Sequence, residues 1–135
     1  MLFRSEFNPN GTMTRAMVWA ILSRVDGETV TGEDWIETAR EWAVAEGVSD
    51  GENANGLVTR EQFATMLWRY AGEPESDYAL STYTDAASVS SCALDAMRWA
   101  VENGIITGVS ATTIVPQGTA TRAQAAAMLM RFVEA

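Results

Sequence analysis

The sequence contains no histidine and no lysine, and it has a single cysteine. Without histidine, the chain lacks the commonest general base and the commonest metal-binding side chain. No Gly-rich phosphate loop and no Gly-x-Ser-x-Gly motif is present. Cys92 cannot form an intramolecular disulfide, and its small apolar neighbours predict a buried, inert thiol. We therefore predict a binding protein with no catalytic residue, no metal site and no cofactor.

Positive charge is also scarce. Nine basic residues, all of them arginine, face 18 acidic residues, and the net charge is −9. Binding to nucleic acid or to an anionic membrane needs a basic surface, so the charge argues against both. No run approaches the roughly 18 apolar residues of a membrane span, and the first residues carry no signal-peptide core. We expect neither nucleic-acid binding nor membrane insertion.

Two sequence elements recur along the chain. Residues 14–24, 59–69 and 121–131 align without gaps, and each copy opens with Thr-Arg. Residues 35–51 and 92–108 share Ala-x-x-Trp-Ala-Val and end in Gly-x-x-x-Gly. Apolar residues repeat at helical spacing in every copy. The pattern predicts an all-α fold of tandem helix-loop-helix repeats, in which Thr-Arg helices alternate with Trp helices.

The repeats divide the chain into three units of unequal completeness. Residues 1–27 form a partial first unit, 28–72 the second, 73–84 a polar linker and 85–135 the third. The first unit has only a Thr-Arg helix. We therefore expect the apolar face of that helix to lack a partner and to favour self-association. The residues on this face are Val18, Ile21, Leu22 and Val25.

The threonine of each Thr-Arg start predicts a helix cap. A glutamine follows three residues later in two copies, which is the pattern of a capping box, whereas the first copy has Met17 there. The predicted cap residues are Thr14, Thr59, Thr121, Gln62 and Gln124.

Capping does not explain the arginine. A cation at the first helical position opposes the helix dipole, so Arg15, Arg60 and Arg122 need a compensating partner. That partner is either an acidic residue of a neighbouring unit or an anionic ligand held together with exposed helix N–H groups. The residues alone leave both open. A second set lies near the helix C-termini, where a cation is favoured, and we interpret it as structural: Arg24, Arg69 and Arg131.

The Trp-Ala helices, their Gly-x-x-x-Gly ends, the Phe7-x-Pro9 turn and the Thr-Arg-Ala-Gln of the third copy resemble S-layer homology domains. The resemblance covers nearly the whole chain. It implies three tandem units with pseudo-three-fold symmetry, located outside the cell at the bacterial surface. It also implies anchoring through anionic, often pyruvylated, wall polysaccharide bound in grooves between units. The signature arginine of the family corresponds to Arg15, Arg60 and Arg122.

The resemblance and the chemistry together define a candidate ligand site. A guanidinium fork suits a carboxylate, and an indole can cover the apolar face of a sugar, although core packing is the more favoured role for both tryptophans. The candidate ligand-binding residues are Arg15, Arg60, Arg122, Trp42, Trp99, Gly51 and Gly108.

The chain departs from the family pattern in its signature glutamate, which is Gln62, Gln124 or Met17 here. The first unit is the most altered because it also lacks its Trp helix. A function of another class therefore stays open. It is a protein-interaction or assembly module, a homo-oligomer that associates through the incomplete first unit.

Overall fold

The computed structural model describes residues 11–134, which fold into five α-helices with no named strand. The Thr-Arg helices are α1 (Arg15–Val25), α3 (Arg60–Tyr70) and α5 (Arg122–Glu134), and the Trp helices are α2 (Trp35–Ala45) and α4 (Leu94–Glu102). Two short 3-10 helices, Ala86–Ser88 and Ser91–Ala93, precede α4. The predicted all-α fold is confirmed. The Phe7-x-Pro9 turn lies outside the described residues.

The helix ends follow from local chemistry. The Thr59 hydroxyl accepts the Gln62 N–H (3.2 Å), and the Gln62 side chain accepts the Thr59 N–H (3.0 Å). The same reciprocal pair forms between Thr121 and Gln124, whereas the Thr14 hydroxyl accepts the N–H of Met17, whose side chain has no oxygen to complete a capping box. Each Trp helix ends shortly before a glycine whose φ is 72°. These glycines are Gly47 and Gly104.

A closed ring of backbone hydrogen bonds joins the three turns that precede the Thr-Arg helices. In each case the N–H of the arginine donates to a glycine carbonyl in the turn of another unit, at 2.9 Å. The three bonds are Arg15 to Gly56, Arg60 to Gly118, and Arg122 to Gly11. Isolated β-bridges join the same turns, at Thr14–Leu57, Thr59–Thr119 and Thr12–Thr121. Unit one thus bonds to unit two, unit two to unit three, and unit three back to unit one.

The ring encloses the centre of the core. Met13, Val58 and Ala120 occupy equivalent positions in the three turns, and all three are fully buried. The Val58 N–H donates to the Met13 carbonyl, and the Ala120 N–H donates to the Val58 carbonyl. Side chains of three different sizes therefore share one apolar centre that every unit touches.

Each Trp helix packs on the Thr-Arg helix that precedes it in the chain. Helix α2 lies on α1, and α4 lies on α3. Leu22 of α1 and Leu67 of α3 are fully buried beneath these helices. The prediction that α1 lacks a partner is therefore wrong. The sequence pattern did not show that a Trp helix covers the preceding unit instead of its own.

The helix with an open apolar face is α5. No described helix packs along it as α2 packs along α1. Leu129, which corresponds to the fully buried Leu67, is only partly buried. Met130 and Val133 are 64% and 60% exposed. The uncovered surface is thus chiefly on the third Thr-Arg helix, with Ile21 of the first helix at its border.

Cys92 is exposed, which corrects the predicted buried thiol. It lies in the 3-10 helix before α4, and α4 itself begins only at Leu94. The apolar stripe of the Trp helix therefore does not extend back to this residue.

We expect Met13→Ala to lower the free energy of unfolding by about 2–5 kcal/mol, because it opens a cavity at the centre of the ring. Met130→Ala is the matched control, and at concentrations at which the chain is a monomer its effect should stay within about 0.5 kcal/mol because that side chain is exposed. Urea unfolding followed by circular dichroism measures both. Equal effects of the two substitutions would contradict this description of the core.

Candidate functional site

The arginine of each Thr-Arg start reaches across the ring into another unit. The Arg15 Nε donates to the Glu52 carbonyl (2.9 Å), while its Nη2 donates to the Ser49 hydroxyl (3.1 Å) and the Asp50 carboxylate (3.3 Å). These residues belong to the turn after the Trp helix of unit two. Arg15 therefore has the acidic partner in a neighbouring unit that one of the two sequence interpretations required.

Arg60 makes the equivalent reach into unit three, but its partners are backbone carbonyls. Its Nε donates to the Ile114 carbonyl (2.8 Å) and its Nη2 to the Thr107 carbonyl (3.1 Å). The residue is only 5% exposed. Burial lowers the pKa of the Arg60 guanidinium below its ordinary value, the nearby Arg131 lowers it further, and Asp85 acts in the opposite direction.

Arg122 closes the same pattern toward unit one. Its Nε donates to the Thr12 carbonyl (3.2 Å), and it makes further interactions. All three signature arginines are therefore clamps between units.

The backbone N–H groups at these helix starts are already bonded. The Ala16 N–H donates to the Ala54 carbonyl (3.0 Å), and the Glu61 N–H donates to the Pro116 carbonyl (3.1 Å), in addition to the arginine N–H bonds of the ring. The expectation of exposed helix N–H groups for an anion is therefore wrong for α1 and α3. Side chains have to supply the contacts to any anion in these grooves.

The second arginine set approaches the same turns from the other side. The Arg69 Nη1 donates to the Val48 carbonyl (3.3 Å), and the Arg131 Nη1 donates to the Ile105 carbonyl (3.4 Å). Val48 and Ile105 are equivalent positions, one residue after the glycine that ends each Trp helix. Each turn is thus held between two arginines from different helices.

Two grooves contain these arginine pairs. Groove A has a volume of about 330 Å³, and its lining includes Arg15, Asp50, Glu61, Gln62 and Arg69. Groove B has a volume of about 310 Å³, with Arg60, Thr107, Gly108, Gln124 and Arg131 in its lining. The two grooves are similar in size and in their arginine pairs.

The charge in groove A is internally balanced. The Asp50 carboxylate accepts the Glu52 N–H (2.9 Å) and lies beside Arg15. That N–H lowers the pKa of Asp50 most, burial opposes it, and Arg15 and Arg69 lower it further. The second carboxylate, Glu61, is 5% exposed and accepts the Ser90 N–H (3.1 Å).

The two candidate tryptophans lie in the core. Trp42 and Trp99 are each 8% exposed, and neither lines groove A or groove B. Trp42 stacks obliquely on Tyr70 and donates its indole N–H to Asp26 (3.0 Å), while Trp99 packs edge-on against Phe132. Their positions support the packing role.

The two candidate glycines are constrained by packing. A Cβ on Gly108, which lines groove B, would lie 2.1 Å from the Ser110 carbonyl oxygen. Gly51 has a φ of 80°, and a Cβ there would lie 2.8 Å from the Val44 side chain. Both positions therefore require glycine for the turn that each arginine clamp holds.

No helix within residues 11–134 is long and apolar enough to cross a membrane. In the same part of the chain, no group of three or more His, Cys, Asp or Glu side chains is arranged to hold a metal ion.

The sequence did not single out Arg69, Arg131, Asp50 and Thr107 as groove residues. The spacing of nine residues between the two arginines of each Thr-Arg helix was visible. That spacing places them at opposite ends of one helix, so they line different grooves. Only the packing of units around the ring shows which arginine meets which.

Comparison with known proteins finds one family and several relatives. Residues 82–126 match the S-layer homology domain. The chain is 32% identical, over 96% of its length, to 8% of an amylopullulanase from Thermoanaerobacterium thermosulfurigenes. It is 28% identical, over 96% of its length, to 14% of exoglucanase XynX from Acetivibrio thermocellus. It is 30% identical, over 95% of its length, to 12% of a surface-layer 125 kDa protein from Lysinibacillus sphaericus. The chain thus spans 8–14% of the length of these relatives.

The fold should be less stable in acid because the ionised carboxylate of Asp85 accepts backbone hydrogen bonds in the folded state. Its carboxylate accepts the Ile114 N–H (3.0 Å) and the Val115 N–H (2.8 Å). Burial raises the pKa of Asp85, but these two bonds, its own backbone N–H and Arg60 outweigh it, so the pKa lies below the ordinary 3.8. A carboxyl with a lowered folded pKa stabilises the fold above its unfolded pKa, and this contribution is lost as the pH falls through the folded value.

We therefore expect the free energy of unfolding to fall between about pH 5 and about pH 2, and to fall less steeply in Asp85→Asn. Urea unfolding across this range measures it. Asp77→Asn, at an exposed aspartate, is the control and should follow the unmodified protein. If Asp85→Asn kept the full pH dependence, the assignment to Asp85 would fail.

Proposed function

Because the chain belongs to the S-layer homology family through residues 82–126, we propose that it is a non-catalytic anchoring module that binds anionic polysaccharide of the bacterial cell wall. The family is a cell-surface anchoring module, and the resemblance stated from the sequence is thereby confirmed. The ligand class and the arginine-lined grooves are the parts that we propose. The location that follows is outside the cell, at the bacterial surface.

The observation that carries the proposal is the pairing of arginines from different helices across each groove. Arg15 and Arg69 line groove A, and Arg60 and Arg131 line groove B. A guanidinium group offers planar, paired donors that match a carboxylate, such as that of a pyruvate ketal on a sugar. With a net charge of −9, the chain repels an anionic polymer at long range, so binding depends on these local sites.

Two relatives are named for enzyme activities, and one is a surface-layer protein. The chain spans 8% of the amylopullulanase and 14% of the exoglucanase, so neither activity is carried over to it. Each of these proteins contains a region that is similar to nearly the whole chain. A common role in attachment accounts for the presence of this region in proteins with such different names.

The test is co-sedimentation of the chain with purified cell walls, before and after chemical removal of the wall polysaccharide. We expect binding to intact walls and loss of binding to stripped walls. Binding should also weaken as salt is raised from about 0.05 M to about 0.5 M, because the contacts are ionic. Equal binding to stripped walls would contradict a polysaccharide ligand.

Self-association is a second candidate function, and the open face of α5 favours it. An apolar groove of about 360 Å³ lies there, lined chiefly by Ile21, Leu129, Met130 and Val133. The equivalent faces of α1 and α3 are covered by Trp helices of the same chain. We propose that a second copy of the chain covers this face of α5.

Light scattering at several concentrations tests the second candidate. The mass should rise with concentration for the unmodified chain and stay at one chain for Met130→Glu, which places a charge in the apolar groove. Tyr78→Glu is the control, since Tyr78 is 42% exposed and lies outside this face. A monomer at every concentration would rule out association through α5.

A further inference from the structure

We propose that the two grooves differ in function: groove B binds a ligand carboxylate, whereas groove A carries its own counter-ion, Asp50, and does not. This inference rests on the proposed function and specifies which site performs it. The ligand class is a saccharide that bears a carboxylate.

The two grooves are built from equivalent positions of the repeat. Arg60 in groove B corresponds to Arg15 in groove A, and Arg131 corresponds to Arg69. The acidic positions are not kept, because Thr107 stands where groove A has Asp50, and Ala123 where it has Glu61. Both grooves thus contain the same pair of arginines, but groove A also contains two carboxylates and groove B contains none.

In groove A the arginine pair is already neutralised. Asp50 lies 3.3 Å from Arg15, and its carboxylate interacts favourably with Arg69 as well. A ligand carboxylate would have to displace Asp50 from Arg15 and would then lie beside two negative charges, those of Asp50 and Glu61. Arginines that are already paired with carboxylates of the protein attract an added anion only weakly.

In groove B the arginine pair has no carboxylate in the lining. Arg60 is 5% exposed, and its Nη1 has no hydrogen-bond partner within residues 11–134. Arg131 is exposed and acts on Arg60 as a like charge, which an anion between them would relieve. Asp85 partly offsets the charge of Arg60, but its carboxylate accepts two backbone N–H groups and lies outside the groove lining.

Polar groups beside the arginines are suited to the rest of a sugar. Thr107 is exposed in the groove, and Gln124 keeps its side-chain amide NH₂ available, because only its Oε1 accepts the Thr121 N–H. A hydroxyl and an amide can bond sugar hydroxyls that flank a carboxylate. A buried arginine fixed by two carbonyls would orient the carboxylate, and the exposed Arg131 would complete its coordination.

The matched pair of variants is Arg131→Gln and Arg69→Gln. Both remove an exposed arginine at the same repeat position, and each loses one long hydrogen bond to a backbone carbonyl. Arg60 is unsuitable because its substitution also breaks two bonds that clamp unit three. Titration calorimetry would use short carboxylate-bearing oligosaccharides released from the wall polysaccharide, with their carboxyl-reduced forms as the ligand control.

We expect the unmodified protein to bind these oligosaccharides and not to bind their carboxyl-reduced forms. Arg131→Gln should weaken binding about 10- to 100-fold, the loss of one charged hydrogen bond, whereas Arg69→Gln should change it less than about threefold. Thermal unfolding by circular dichroism confirms that both variants are folded. Equal losses, or loss only in Arg69→Gln, would overturn the assignment to groove B.

A reciprocal exchange tests the role of Asp50. Thr107→Asp places the carboxylate of groove A at the equivalent position of groove B and should weaken binding about tenfold or more. Asp50→Thr removes that carboxylate from groove A and should add a weaker site, seen as a higher stoichiometry than that of the unmodified protein. An unchanged stoichiometry in the folded variant would overturn the counter-ion role. Absence of binding by the unmodified protein would instead contradict the proposed function itself.

Discussion

The ring of hydrogen bonds among the three turns determines where every signature arginine lies. Each arginine N–H donates to a glycine carbonyl of another unit at 2.9 Å, so the first residue of each Thr-Arg helix is fixed against its neighbour. From that point the guanidinium groups of Arg15 and Arg60 reach the segment that follows the Trp helix of the next unit, and that of Arg122 reaches Thr12 of unit one. The central apolar cluster and the grooves depend on this contact, because a helix that started elsewhere would carry its arginine away from the turn.

The sequence predicted what depends on short-range chemistry. Helical periodicity indicated the five helices, Gly47 and Gly104 marked the ends of two of them, and Thr59 with Gln62 indicated a capping box. These features involve residues within a few positions of one another. Their physics is contained in the local sequence, so repetition of the pattern was enough to find them.

Features that depend on how units meet were not predictable in this way. The sequence placed the uncovered apolar face on α1, but α2 covers that helix and α5 carries the open face. It suggested free N–H groups at the helix starts, but the turn carbonyls of other units accept them. It treated the arginine sets separately, although Arg60 and Arg131 line one groove. Each of these outcomes depends on which units pack against each other, and local sequence patterns do not show that.

The bond from the Arg122 N–H to the Gly11 carbonyl connects the last unit to the first and closes the ring. An open array of repeats can gain or lose a unit at either end, because each repeat contacts only its neighbours. Here a fourth unit would have to break the ring before it could enter it. Closure therefore limits the ring to three units, and the grooves within it can still diverge by substitution, as aspartate at 50 and threonine at 107 show.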